Sequence, residues 1–117
     1  MSKRLQDKTA LVTGAASGIG AATAALFAAH GAHVIGLDLN PPREPAPGVD
    51  YRQADIPDTA AIAAVVADTV ARHGRIDVLV NNAGADVFSE PLALDDAQWQ
   101  RCLDLNLKGA WNLCRAV

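Results

Sequence analysis

The sequence predicts an α/β fold built on a parallel sheet, and three observations predict it. Strand-like and helix-like segments alternate along the chain. The strand-like runs are apolar throughout, as befits strands covered on both faces, and the first of them passes through a glycine-rich turn directly into a helix. At 117 residues the chain is long enough for one such domain and too short for two.

Each element follows in order. Thr9-Ala10-Leu11-Val12-Thr13 has no helical period and stops at Gly14, so it reads as a buried strand. The Ala-rich stretch from Gly18 to His30, with Ile19, Leu26 and Phe27, reads as a helix, and Gly31 stands where its C-terminal cap belongs. His33 to Asp38 is a second buried strand. Between Asn40 and Gly48, Pro41, Pro42, Pro45 and Pro47 permit only loop. Tyr51 to Ala54 is expected as a third, weaker strand. Asp58 then caps a helix in which Ile62, Val65, Val66, Thr69, Val70 and His73 share one face. Ile76 to Val80 reads as the fourth buried strand, followed by Asn81-Asn82-Ala83-Gly84. Beyond Pro91, Asp95 and Gln98 suit a capping box, and a single helix is expected from there to Val117.

Composition narrows the function classes. Hydrophobic residues make up 50% and charged residues 20%, which speaks against disorder, and aromatics at 4% leave the core to Val, Leu, Ile and Ala. Ten Lys and Arg against thirteen Asp and Glu give a net charge of −3, and no basic cluster marks nucleic acid or an anionic membrane as a partner. The apolar stretch after Met1-Ser2-Lys3-Arg4 is too short for a signal peptide, and no run approaches the roughly 18 apolar residues of a membrane span. Cys102 and Cys114, on one helix, would stand roughly 18 Å apart, beyond the reach of a disulfide. Free thiols fit a reducing compartment, so a cytoplasmic protein is expected. No metal site is expected.

The chemistry gathers at strand ends. In Thr13-Gly14-Ala15-Ala16-Ser17-Gly18-Ile19-Gly20, glycines would let backbone N–H groups approach a pyrophosphate at a helix N-terminus. The spacing is Gly-x-x-x-Gly-x-Gly rather than Gly-x-Gly-x-x-Gly, and a tight strand–helix turn uses glycine for purely structural reasons too. No Lys-Ser or Lys-Thr pair follows, so it is not a P-loop. Asp38, ending the second strand, can accept hydrogen bonds from ribose hydroxyls, and its charge would repel a 2′-phosphate, favouring NAD over NADP. Arg43 nearby works against that preference, and the plain alternative for Asp38 is a solvated aspartate at the start of a loop. Asp55 reads two ways, as a holder of the adenine amino group or as the start of a turn.

Together these pieces resemble the short-chain dehydrogenase/reductase family. The resemblance rests on Thr13-Gly14-x-x-x-Gly18-Ile19-Gly20, Asp38, Asp55-Ile56, Asn81-Asn82-Ala83-Gly84, and Asn106 within Leu105-Asn106-Leu107-Lys108-Gly109, and it covers essentially the whole chain in the right order. It implies the first half of a Rossmann-like, doubly wound sheet, three-layered α/β/α, with strand order 3-2-1-4, and a single NAD-binding domain over 1–117. It also implies that Gly14, Ser17, Gly18, Ile19 and Gly20 serve the pyrophosphate, Asp38 the ribose, and Asp55 and Ile56 the adenine, with Asn82, Ala83 and Gly84 lining the cofactor cleft. Asn106 would hold a water in a proton relay, as a catalytic residue, its plain alternative being a structural asparagine bonded to a neighbouring strand.

The family's Ser-Tyr-x-x-x-Lys set is missing from these residues: the only tyrosine is Tyr51, with Asp55 four positions later. The expectation is therefore an NAD-dependent oxidoreductase acting on a small alcohol or carbonyl compound, of which this chain is the adenosine-binding half, truncated and inactive alone. The alternative is a non-catalytic nucleotide-binding or interaction module. A Rossmann-like methyltransferase would share the glycine loop and the acidic residue, but Asn81-Asn82-Ala83-Gly84 and Asn106 count against it. On a wheel of 100° per residue, Trp99, Leu103, Asn106, Ala110, Leu113 and Val117 form one core-facing stripe. Arg101, Asp104, Lys108 and Arg115 then lie on the solvated side. Leu107 and Trp111 form an apolar flank that, with the exposed edge of the fourth strand, predicts a homo-oligomer, unless the loop from Asp86 to Pro91 covers them.

Overall fold

The computed structural model describes residues 3–85 and 90–117. Its four strands, β1 (Thr9–Thr13), β2 (His33–Asp38), β3 (Val49–Gln53) and β4 (Val78–Val80), form one parallel sheet in the order β3-β2-β1-β4. The helices are α1 (Gly18–Ala29), α2 (Thr59–His73), α3 (Asp96–Leu103) and α4 (Gly109–Ala116), and a π-helical turn at Asp104–Lys108 joins the last two. The doubly wound order expected from the sequence is the order found.

β1 is an inner strand, with β2 on one side and β4 on the other, and all five of its residues are buried. It pairs with β2 from Thr9 opposite His33 to Thr13 opposite Leu37, and with β4 from Ala10 opposite Val78 to Val12 opposite Val80. Successive side chains of a strand point to opposite faces, so the sheet supplies two cores. Leu11, Ile35 and Leu37 pack on one face with Ile62, Val66 and Leu113 from α2 and α4. Val12 and Val34 pack on the other with Ala24 of α1. Helices on both faces make the three layers. The buried positions of α1 are Gly20 and Ala24, so small side chains set how closely that helix lies against the sheet.

Local chemistry closes most elements as expected. The Asp58 side chain accepts from the Ala61 N–H, and Gly74, at φ 86°, ends α2 with its N–H on the Val70 carbonyl. Asp95 and Gln98 form the reciprocal capping box of α3. β3 is displaced, starting at Val49 rather than Tyr51. β4 is shorter than expected and starts at Val78: the Asp77 carboxylate instead accepts the Thr9 N–H at 2.9 Å, while the Asp77 N–H donates to the Thr9 carbonyl at 2.8 Å.

The last helix departs most from expectation. It is not continuous, since the π turn inserts a wider ring in which the Gly109 N–H donates to the Asp104 carbonyl five residues back. A constant 100° per residue fails across such a turn, so the predicted stripe is not one buried face. Leu113 is 1% exposed, whereas Trp99 is 59%, Leu103 39% and Val117 44% exposed, and α3 buries no residue. Leu107 and Trp111 are exposed, as the wheel had them. Residues 86–89, in the loop given above as their alternative cover, lie outside the described residues. No described helix is long and apolar enough to cross a membrane.

Candidate functional site

All strands run the same way, so their C-terminal ends meet along one edge. The strand order reverses between β1 and β4, where open α/β sheets form a crevice. A cavity of about 340 Å³ lies there, within the range of small-molecule sites.

The glycine-rich turn forms its first wall. Gly14 holds φ 68°, and a Cβ on it would stand 2.7 Å from Asn82 Nδ2, so the position requires glycine on both counts. A Cβ on Gly20 would collide with the Gly14 carbonyl, which keeps the first turn of α1 folded against the loop. Ser17 is the N-cap residue in an extended conformation, and it makes no side-chain capping bond. The first amides of α1 have no partner within the helix, so they are available to an anion. Gly14 and Ser17 line the cavity; Gly18, Ile19 and Gly20 form the first turn of α1 beside it, with Ile19 78% exposed.

Asp38 closes β2 and lines the cavity. One carboxylate oxygen accepts from the Ala16 N–H at 2.9 Å and the other from the Asn40 N–H at 2.9 Å. The side chain thus ties the glycine loop to the β2 end. Among the described residues it has no ion pair, so its charge is uncompensated by Lys or Arg. Arg43 is exposed and lines a separate cavity with Ala16, Ser17 and Gly18.

The third wall is Ala54, Asp55 and Ile56, between β3 and α2. The fourth is the Asn82-Ala83-Gly84 run beyond β4. Thr13, buried at 1%, joins this run to β1: its hydroxyl accepts from the N–H groups of Asn82 at 3.0 Å and Ala83 at 2.8 Å and donates to the Val80 carbonyl at 3.3 Å. Asn82 Nδ2 donates to the Thr13 and Gly14 carbonyls at 3.2 and 3.4 Å. Asn82 therefore braces the glycine loop from beneath.

Asn106 sits in the π turn, exposed rather than on a buried stripe. Its Oδ1 accepts from the Ala85 N–H at 3.1 Å, and its Nδ2 donates to the Ala85 carbonyl at 2.9 Å and the Cys102 carbonyl at 3.0 Å. One side chain thus satisfies three backbone groups and ties the last helical segment to the chain leaving β4.

Sequence reading missed two residues here. Thr13 was part of a motif, but nothing local marks its hydroxyl as the link between two strand ends. Arg101 is exposed, as expected, but with Leu105 it also lines the cavity. Its guanidinium donates to both Asp55 oxygens at 3.0 Å, and Asp55 raises its pKa above the usual arginine value. Cys102 and Cys114 are free, and no cluster of three or more metal-ligating side chains occurs among the described residues.

Known proteins share this architecture. A family model described as short chain dehydrogenase matches residues 8–117. Oxidoreductase UcpA of Escherichia coli is 41% identical over 122 residues, spanning 97% of this chain and 46% of the relative. The ligand-free structure of aldohexose dehydrogenase from Thermoplasma acidophilum matches with a TM-score of 0.90 at 32% identity, covering 99% of this chain and 45% of that one. A metagenomic short-chain oxidoreductase in complex with NADP matches with a TM-score of 0.85 at 34% identity, covering 96% of this chain and 55% of that one. The chain spans about half the length of these relatives. A match over 8–117, on a sheet whose crevice opens where the glycine loop meets the Asn82-Ala83-Gly84 run, makes this chain a member of the short-chain dehydrogenase family.

Proposed function

We propose that this chain is the adenosine-binding half of an NAD-dependent oxidoreductase that moves a hydride between the cofactor and a small alcohol or carbonyl compound. Asp38 is the observation that carries the reading. A carboxylate with no cationic partner among the described residues, held in the cavity lining by two backbone N–H groups, suits the two hydroxyls of an unmodified ribose and repels a 2′-phosphate.

In this reading Gly14, Ser17, Gly18, Ile19 and Gly20 receive the pyrophosphate on the free amides of α1. Asp55 and Ile56 receive the adenine, and Asn82, Ala83 and Gly84 form the cleft wall leading towards the nicotinamide. Asn106 holds the last helical segment in register with that wall, where a proton relay would begin. NAD, when bound, supplies the hydride chemistry; the chain's own residues bind and orient it. The 1–117 stretch acts as one cofactor-binding domain of a cytoplasmic protein that assembles as a homo-oligomer, and the Ser-Tyr-x-x-x-Lys set of the intact protein lies outside it.

Calorimetric titration with NAD and NADP tests the assignment. Wild type should bind NAD more tightly, and Asp38→Ala should weaken NAD by about tenfold or more, the worth of at least one hydrogen bond to a charged group, while narrowing the gap to NADP. Tighter binding of NADP by the wild type, the cofactor in the metagenomic relative, would overturn it.

A further inference from the structure

Arg101 and Asp55 are 46 positions apart and meet at the cavity through two parallel hydrogen bonds of 3.0 Å. Both side chains are partly open to solvent, 46% and 37% exposed, so as a stability device the pair is worth little. Its geometry has another consequence. The planar fork occupies one lone pair on each carboxylate oxygen, fixes the plane of the group, and leaves a second lone pair on each oxygen as acceptor. Both residues line the cavity. Because α3 buries nothing, this ion pair also ties that helix to the connection between β3 and α2.

Resting on the adenosine reading of the cleft, we propose that Arg101 is a positioning residue for base selection. It orients Asp55 so that the free lone pairs accept from an exocyclic amino group, which selects 6-aminopurine over 6-oxopurine dinucleotides. A 6-oxo group presents an acceptor to those oxygens and is repelled. Arg101 also offsets one of the two negative charges, Asp38 and Asp55, that an anionic dinucleotide meets here, but charge acts equally on both kinds of base. Only the ratio of their affinities reports on orientation.

The test is calorimetric titration of the chain with NAD and with its hypoxanthine analogue, in which the 6-amino donor is replaced by a 6-oxo acceptor and N1 carries a proton. Wild type should prefer NAD by about tenfold or more, the usual worth of a hydrogen bond to a charged acceptor. In Arg101→Met the preference should fall to about two- to threefold. Arg101→Lys should recover overall affinity but not the preference, because an ammonium lacks the fork. In an Asp55→Ala background, Arg101→Met should change the ratio no further. Circular dichroism melts confirm that each variant is folded, as expected for a side chain on a helix with no buried residue. An undiminished preference in Arg101→Met overturns the inference. Equal binding of the two dinucleotides by the wild type, with Asp38→Ala weakening both, overturns it while leaving the cleft reading intact. No saturable binding of either would remove the cleft reading, and this inference with it.

Discussion

Thr13 holds together what the site needs held. Its hydroxyl serves two N–H groups and one carbonyl at the junction of β1 and β4, and the residue is fully buried. Replacing it by Val keeps the shape and removes those partners, leaving buried donors unsatisfied at about 1–3 kcal/mol. Thr13→Val should lower the urea midpoint by a corresponding amount without changing the slope, and Thr13→Ser should retain most of the stability. Asn106 differs because it is exposed, so water replaces its bonds when it is removed. Asn106→Ala should cost less than Thr13→Val, yet it should speed hydrogen exchange at the Ala85 amide, which donates to Asn106. Unchanged exchange at Ala85 would contradict the bracing role.

Ion pairs act between elements. Arg52 on the edge strand β3 reaches Asp50 and Asp68 at 2.9 Å each, and Arg72 reaches the same two carboxylates at 3.0 and 3.5 Å, so β3 is laced to α2 by four charges. The hydrogen bond from Arg52, aided by Arg72, holds the Asp50 carboxyl below its ordinary 3.8 against the opposing effect of burial. The folded chain therefore keeps Asp50 ionised where the unfolded chain protonates it. The stabilisation is whole above pH 3.8 and is lost as the pH falls through the lower folded value. The four side chains are 33–51% exposed, so solvent screening limits the network to about 1 kcal/mol or less. The urea midpoint of Asp50→Asn should lie below wild type at pH 7 and converge on it towards pH 2–3, and 1 M salt should shrink the pH 7 gap. A gap that persists at the acid end would exclude this origin.

At the scale of the molecule, two unpartnered features lie open. Among the described residues β4 pairs only with β1, so its other edge has no strand partner there. Leu107 and Trp111 are exposed on the last helical segments, at 68% and 60%. The isolated chain should self-associate in sedimentation at high micromolar concentration, and a single monomer there would refute this. Trp111→Glu should weaken the oligomer if the helix is the contact and spare it if the strand edge is. The same purified chain should form no NADH from a panel of secondary alcohols, since a general acid/base is typically worth 10²–10⁴-fold and no Tyr-x-x-x-Lys occurs in it.

Much of this was legible in one dimension, because the rules involved act within a turn or a strand. Apolar runs marked β1 and β2, glycine marked the turn into α1, and Asp58, Asp95 and Gln98 marked helix starts by capping chemistry. Asp38 and the Asn82-Ala83-Gly84 run were found at strand ends because strands end where polar residues follow apolar ones. The tertiary structure alone decided the rest. Pairing of Thr13 with Asn82 and Ala83, and of Arg101 with Asp55, follows from strand order and helix placement, which bring together residues 69, 70 and 46 positions apart. The facing of Trp99 was misjudged for a related reason. A helical wheel assumes a constant turn, and the π turn at Asp104–Lys108 breaks that assumption where Asn106 bonds the chain leaving β4. Sequence periodicity sees the helix, but not the long-range bonds that set which of its faces meets the site.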